Sequence, residues 1–435
     1  MRRPSLLALL VCALFCACYP WGKFEGTQEG CPSGFAHCPG SPEEVDGGVL
    51  VCETPLDTAQ DCGACGVQCV ARCGEGACVT PVSLALGSDH TCALMSDGTV
   101  TCWGKNNQGQ LGAPPESVAQ SATPLPVPGV EGAIEVVAAH ELSCALIDGG
   151  TVRCWGRNNE SQLGAGDAGV TSMPTPTAVL DLTDATGLWA ANANVCARRR
   201  NGQLLCWGHN ANGQVVFGQG GSVDVPTPIA DLPDAGVVQV AIAHETICAL
   251  VDDGQVWCWG NNGEGVIGDG TFGVPRRPTR VPSLSGVTEL VAGRHVCAAL
   301  DGGSVLCWGP NAKGELGIGD AGTPVPTPTP VAGMTHASRL TAAEEVSCAI
   351  RNGDETVFCW GDNSYGQLGT LAAPSSAVRV AVPGTAFSQL RTGGYHSCGL
   401  TSVGTVWCWG QNNFGELGLG QVTTSNVTVP SLVQW

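Results

Sequence analysis

The sequence predicts an all-β fold, a seven-bladed β-propeller preceded by a small disulfide-rich segment. Three observations carry that expectation. The first is a repeat: CALVDDGQVWCWG at 248–260 returns as CALMSDGTVTCWG (92–104), CALIDGGTVRCWG (144–156), CARRRNGQLLCWG (196–208), CAALDGGSVLCWG (297–309), CAIRNGDETVFCWG (348–361) and CGLTSVGTVWCWG (398–410). Its second cysteine recurs at spacings of 52, 52, 52, 49, 52 and 49 residues. The second is periodicity. Runs such as VVQVAIA (237–243) alternate with period two and are rich in β-branched residues, which argues for strands, and no stretch of the repeats shows convincing helical periodicity. The third is punctuation: turn-like loops such as GKNNQGQLG (104–112) and proline-bearing segments such as TPTPVAGM (327–334) follow the hairpins. Each repeat therefore supplies about four short strands, and seven such repeats of about 50 residues build blades around a central channel.

The elements run in order. Residues 1–17 read as a signal peptide, with Met1-Arg2-Arg3 as the basic start and SLLALLVCALFCA (5–17) as an apolar run well below the roughly 20 residues that span a bilayer. The FCAC end resembles a bacterial lipoprotein signal and places Cys18 where the lipid would be attached, although Phe15 stands where that signal prefers leucine. Plain secretion with cleavage nearby is the alternative. The chain holds 25 cysteines, far too many for a typical cytosolic protein. Removing Cys12 and Cys16 with the signal and reserving Cys18 for lipid leaves an even number, so disulfides can use every remaining thiol.

Residues 18–80 form a cysteine-rich segment or linker, with Cys31, Cys38, Cys52, Cys62, Cys65, Cys69, Cys73 and Cys78. It is too short and polar to bury a sizeable core, so it needs staples. Four disulfides are expected there, with the connectivity open; zinc held by Cys62, Cys65 and two others is the weaker alternative in an oxidising compartment. Residues 81–435 carry the seven repeats.

Within a repeat the two cysteines fall opposite each other. Pairing Ala249 with Trp257 and Leu250 with Val256 places Cys248 against Cys258, with Asp252-Asp253-Gly254 as a three-residue tip. Opposed antiparallel residues lie at Cα separations that a disulfide accepts. The expected bridges are Cys92–Cys102, Cys144–Cys154, Cys196–Cys206, Cys248–Cys258, Cys297–Cys307, Cys348–Cys359 and Cys398–Cys408. The sixth interval is one residue longer, with Asn352-Gly353-Asp354-Glu355 at the tip. Buried free thiols are the rival reading; a metal site lacks two further ligands at fixed spacing, and a redox dithiol would use a shorter spacing.

The stretch HTCALMSDGTVTCWGKNNQGQLG (90–112) resembles the regulator of chromosome condensation repeat family, through its CAL run, D-G hairpin, C-W-G stretch and N-x-x-G-Q-L-G loop. The resemblance covers residues from about 82 to 435 and implies the propeller. The family name implies a chromatin-bound exchange factor for a small GTPase. Three features oppose that transfer of function: the export signal, a net charge of −19, and repeats of nearly equal length with no obvious inserted wedge. So acidic a surface repels nucleic acid and anionic lipid, which leaves a lipid anchor as the only expected membrane tie.

Individual residues add little chemistry. His90, His295 and His396 precede the first cysteine of their repeats by two residues, where the other copies have Leu142, Asn194, Thr246 and Val346. Metal ligands rarely vary so freely, and the expected role is an imidazole bonded to neighbouring backbone. Each repeated Trp-Gly reads as blade core. Arg198-Arg199-Arg200, at one hairpin tip, reads as solvated charge. No catalytic, metal or cofactor motif stands out. The expected function is a non-enzymatic binding module at the cell surface, on the outer membrane or outside the cell, presenting variable propeller loops to an unknown protein or glycan. A secreted inhibitor of an extracellular enzyme comes next, and a polysaccharide hydrolase or lyase, or an exchange factor by family name, comes last. For ring closure, VTVPSLV (427–433) is expected to share a sheet with strands from residues 82–104, because a linear array would leave open edges.

Overall fold

The computed structural model describes residues 69–74, 77–167, 169–233, 236–282, 284–371, 375–382 and 386–435, together with residues 35–36 and 54–55. The expectations for residues 1–17, Cys18, Cys31, Cys38, Cys52, Cys62 and Cys65 lie outside the described residues. The chain divides into two compact units, residues 1–81 with Trp435 and residues 82–434. In the first unit, Arg72–Gly74 pairs antiparallel with Ala77–Val79 and Cys69 is bonded to Cys78 at an S–S distance of 2.06 Å.

The second unit is a seven-bladed all-β propeller. Each blade is one sheet of four strands that neighbour one another in sequence order. Blade 1 runs Pro81–Leu86, His90–Met95, Val100–Lys105 and Gln120–Pro126. Blades 2 to 6 span residues 133–178, 185–228, 237–280, 287–330 and 337–381. Blade 7 runs Gln389–Thr392, His396–Leu400, Val406–Gly410 and Val427–Leu432. The first strands line the central channel and the fourth strands lie at the rim. Proline is common in those rim strands, as in SMPTPTA and VPTPTP. A strand with one open edge tolerates the missing N–H, and proline discourages another chain from pairing there.

Hairpin register follows the residue pattern. Cys248 lies opposite Cys258, Ala249 opposite Trp257 and Leu250 opposite Val256. The sulfurs of that pair are bonded with Cα atoms 4.1 Å apart, and the other six hairpins hold bonded pairs at 4.1–4.2 Å. In blade 6, Ile350 faces Val357, so the tip between them is one residue longer. The register shifts at each Trp-Gly, where the ladder to the fourth strand carries a bulge, as between Cys102 and Gly104. Gly104 has φ +105, and a Cβ there would stand 2.5 Å from the Asp89 carbonyl oxygen.

The ring does not close as expected. Val427–Leu432 pairs with Val406–Gly410 of its own blade and shares no sheet with residues 82–104. The expectation treated the terminal edges as a special hazard. In fact every blade presents its fourth strand outward, and the contact from blade 7 to blade 1 is built like the others.

That contact rests on the tryptophans. Trp103, Trp155, Trp207, Trp308, Trp360 and Trp409 are fully buried and Trp259 nearly so. The indole N–H of Trp155 donates to the Gln110 carbonyl of the preceding blade at 2.9 Å, and Trp207, Trp259, Trp308 and Trp409 donate in the same way to Gln162, Gln214, Val266 and Gln367. They therefore hold blades together as well as filling them. In five blades the glycine that ends the loop of Q-L-G type, Gly164, Gly268, Gly317, Gly369 or Gly418, packs on the next tryptophan: a Cβ on Gly418 of blade 7 would stand 2.9 Å from Trp103 Nε1 of blade 1.

Candidate functional site

The blades meet through three layers of polar joints. Nearest the axis, a residue early in the first strand reaches the next blade. Glu135 Oε2 accepts the Leu188 N–H at 3.1 Å, Gln239 Oε1 accepts Leu290 at 2.9 Å, and Gln389 Oε1 accepts Leu84 at 2.7 Å, which closes the ring. Blade 3 has Gly187 at this position. Its link to blade 4 comes from Arg198, whose Nη1 donates to the Val237 carbonyl at 2.8 Å. Arg199 pairs with Asp184 at 2.7 Å, and Arg200 is exposed. Of the arginine triplet, only Arg200 fits the expectation of solvated charge.

The buried histidines form the second layer. Ser143 Oγ donates to the Gln110 carbonyl at 3.0 Å and lies 2.9 Å from His90 Nε2, so the imidazole donates to the serine. Thr91 donates to the Glu416 carbonyl at 2.9 Å and lies 2.7 Å from His396 Nε2. Ser347, which donates to Glu315, pairs with His295. Each imidazole thus bonds a hydroxyl of the next blade, and a backbone hydrogen bond of the kind the sequence suggested acts on it as well, at His140 for His90, Glu344 for His295 and Ser88 for His396. Burial drives all three well below the usual histidine range, to about 3 for His90 and His396 and about 4 for His295, so they stay neutral. A sequence signal did exist. Blades 1, 5 and 7, which carry the histidine, have Gly87, Gly293 and Gly393 at the preceding corner, and a Cβ on Gly87 would stand 2.2 Å from His90 Cε1. No group of three or more candidate metal ligands comes together among the described residues.

The third layer makes one face of the disk. It consists of the corners between first and second strands, with the loops between third and fourth strands leaning on the corner of the next blade. Asn107 Nδ2 donates to Glu141 Oε1 at 3.1 Å and Asn212 Nδ2 to Glu245 Oε2 at 2.8 Å; Arg294 lies 3.6 Å from both Glu264 and Glu345. Lys105 lies 3.1 Å from Asp89 and 3.3 Å from Glu141; burial lowers its ammonium, but the two carboxylates outweigh that and hold it above the usual range. Four corners hold non-glycine residues at positive φ: His140 (33°), Asn192 (53°), His244 (50°) and Glu344 (43°). Such strain gathers where a surface has work to do. The sector from blade 6 to blade 1 is aromatic. Tyr365 and Tyr395 lie 5.0 Å apart with a 57° tilt, and Lys105 sits 5.0 Å over the Phe414 ring. Tyr395 is exposed.

Beneath this face runs the central channel, with a cavity of about 440 Å³ lined by the first strands of all seven blades. Its lining residues are mostly small, and the surface they expose is more polar than apolar. The exceptions include Glu135, Glu289 and Arg391. Burial raises Glu135 to about 7 and pushes Glu289 up as well; it pulls Arg391 down, with Glu289 and Glu135 opposing.

Family models for the regulator of chromosome condensation (RCC1) repeat match residues 97–146, 201–250, 253–300, 354–400 and 403–435, more than half of the chain, and a second model of the same repeat matches 82–110, 237–266 and 387–416. The chain belongs to the RCC1 repeat family. It is 31% identical over 205 residues to the RCC1 domain-containing protein RUG3, mitochondrial, of Arabidopsis thaliana, covering 45% of this chain and 44% of that protein. It is 28% identical over 200 residues to the ultraviolet-B receptor UVR8 of the same plant, covering 45% and 46%. The match to the human E3 ubiquitin-protein ligase HERC2 is 31% over 217 residues, 45% of this chain and 4% of that one. The chain thus spans less than half the length of these relatives. Among solved structures, yeast RCC1 (Prp20) bound to Kap60 superposes with a TM-score of 0.69 at 19% identity, covering 82% of this chain and 85% of that one. Human WBSCR16 superposes at 0.68 and 22%, covering 78% and 94%. These likenesses establish the fold. What sets this chain's RCC1 repeats to a task must be read from its own corners and channel.

Proposed function

We propose that this RCC1-repeat chain is a non-enzymatic interaction module, exported and held at the cell surface through Cys18, that binds a protein partner on its corner face. The observation that carries the reading is the aromatic sector. Tyr365 and Tyr395 pack together and Phe414 lies in a loop of blade 7, which also carries Tyr395, on a face otherwise made of charged and amide joints. Aromatic anchors ringed by polar groups are the usual energetic centre of a protein interface. Seven hairpin disulfides suit an oxidising compartment. The expected partner is a protein with a cationic rim, matched to the chain's net charge of −19.

Affinity capture from a surface extract of the native host, with the full chain and a Tyr395→Ala/Phe414→Ala variant as baits, tests the reading. A protein enriched by the first bait and lost with the second is the expected result. Equal capture by both baits would place the partner elsewhere on the propeller. If the captured protein is an enzyme whose turnover falls on binding, the module is an inhibitor. Cys18→Ala tests the anchor: the variant should move from membranes to the soluble fraction and lose fatty-acid labelling, and normal labelling would refute the assignment.

A further inference from the structure

Arg391 occupies a position where no other blade carries a charge; its counterparts on the first strands are Ala85, Val137, Trp189, Ala241, Val291 and Thr341. Its Nη1 donates to the Leu390 carbonyl at 3.0 Å, and it forms no ion pair within 4.0 Å among the described residues. Its charge is nevertheless felt by Glu135 on blade 2 and Glu289 on blade 5. Blades 2, 5 and 7 are mutually non-adjacent, so their side chains meet only on the axis. Each carboxylate is tied at one edge to the backbone of the next blade, Glu135 to Leu188 and Glu289 to Leu340 and Arg339. Neither has a cation at ion-pair distance among the described residues. Besides Glu344 and His140 in its lining, the channel therefore encloses the Arg391 guanidinium and the Glu135 and Glu289 carboxylates, with Arg391 attracting both carboxylates without closing a salt bridge.

One side of the wall offers an apolar surface. Trp189 lines the channel on blade 3. A Cβ on Gly187 would stand 2.7 Å from Trp189 Cη2, so the missing side chain leaves room for the indole along the wall. The cavity of about 440 Å³ falls in the range of small-molecule sites. A simple anion would be attracted by Arg391 and repelled by the two carboxylates, and a simple cation would meet the reverse. Only a ligand carrying both signs answers both sets of groups.

We propose that the central channel binds a small zwitterion of the α-amino-acid type, its carboxylate on Arg391, its ammonium between Glu135 and Glu289, and its side chain toward Trp189. An ammonium beside Glu135 favours the ionised carboxylate. The carboxyl sits at about 7 when the site is empty, faced by Arg198 and Arg391, so binding near neutral pH releases a proton.

Calorimetric titration of the full chain with glycine, L-leucine and L-phenylalanine tests the proposal, with phenethylamine and 3-phenylpropanoate as single-charge controls. The expected result is saturable binding of at least one amino acid, controls at least about tenfold weaker, and a heat that varies with the buffer's own protonation enthalpy. Arg391→Met should abolish binding. So should Glu135→Gln, which installs the residue that blades 4 and 7 already use at that position and therefore keeps the fold. No saturable heat from any of the three at about 10 mM, equal binding of the single-charge controls, or binding that survives Arg391→Met in a folded variant would overturn it.

Discussion

Glu135, Gln239 and Gln389 perform one task with two chemistries. Each takes an N–H from the next blade, but only Glu135 must do so with a carboxyl that burial holds near 7. A raised folded value means the fold favours the protonated acid. The resulting stability is complete below the unfolded value of 4.5 and is lost as pH rises through about 7. Glu135→Gln keeps the acceptor and removes the titration. At about pH 8 the variant should be more stable than the unsubstituted chain by up to about 3 kcal/mol, read as a higher melting temperature, and the two should match near pH 4. A lower melting temperature at both would show that the carboxylate is needed for the joint. These joints were not legible in the sequence. Ser83, Gly187 and Arg339 stand at the same position in other blades, and no composition rule links a glutamate to a backbone amide about fifty residues away. Arg391 was hidden for the same reason, since only ring closure brings blades 2, 5 and 7 to one axis.

The hairpin was the most legible element. A period-two pattern, a tight tip and two opposed cysteines set its register, because strand pairing across a short tip is a local matter. Closing such a loop restricts the unfolded chain by about 3 kcal/mol in the entropic account. Replacing Cys248 and Cys258 together by alanine should destabilise the chain by about that amount, read as a denaturation midpoint shift, while non-reducing peptide mapping still finds the other six hairpin bridges. Bridges between blades in that map would contradict the geometry. The rim strands were half legible. Their prolines marked a segment that is not a central strand, but what they protect became plain only once each was seen with one edge open. The corners of the candidate face were illegible, because residues at positive φ such as Glu344 carry no mark in the sequence.

Across the whole ring, His396 holds blade 7 to blade 1, His90 holds blade 1 to blade 2 and His295 holds blade 5 to blade 6. All are depressed far below 6.5, so unfolding takes up protons. Stability is complete above about 6.5 and falls as pH drops toward 4 and then 3, by at most about 1.4 kcal/mol per pH unit for each histidine. The melting temperature should therefore drop steeply from pH 6 to pH 4, and less steeply in His396→Gln; identical slopes would remove the seam histidine from the account. Deleting residues 426–435 removes the rim strand of blade 7, and limited proteolysis should then cut within 389–425 before it reaches 82–104. Simultaneous cutting at both ends would revive a shared terminal blade. The unbroken chain order of the blades also governs how the molecule is made. A blade borrows no strand from a distant part of the chain, so each cysteine pair, ten or eleven residues apart, can oxidise as soon as its own hairpin has emerged. Wrong pairings are limited by timing as much as by energy. Only the joints between blade 7 and blade 1, Gln389 with Leu84 and His396 with Thr91 among them, must wait for the last repeat, so the circle can close only after the other six hairpins have had their chance to oxidise.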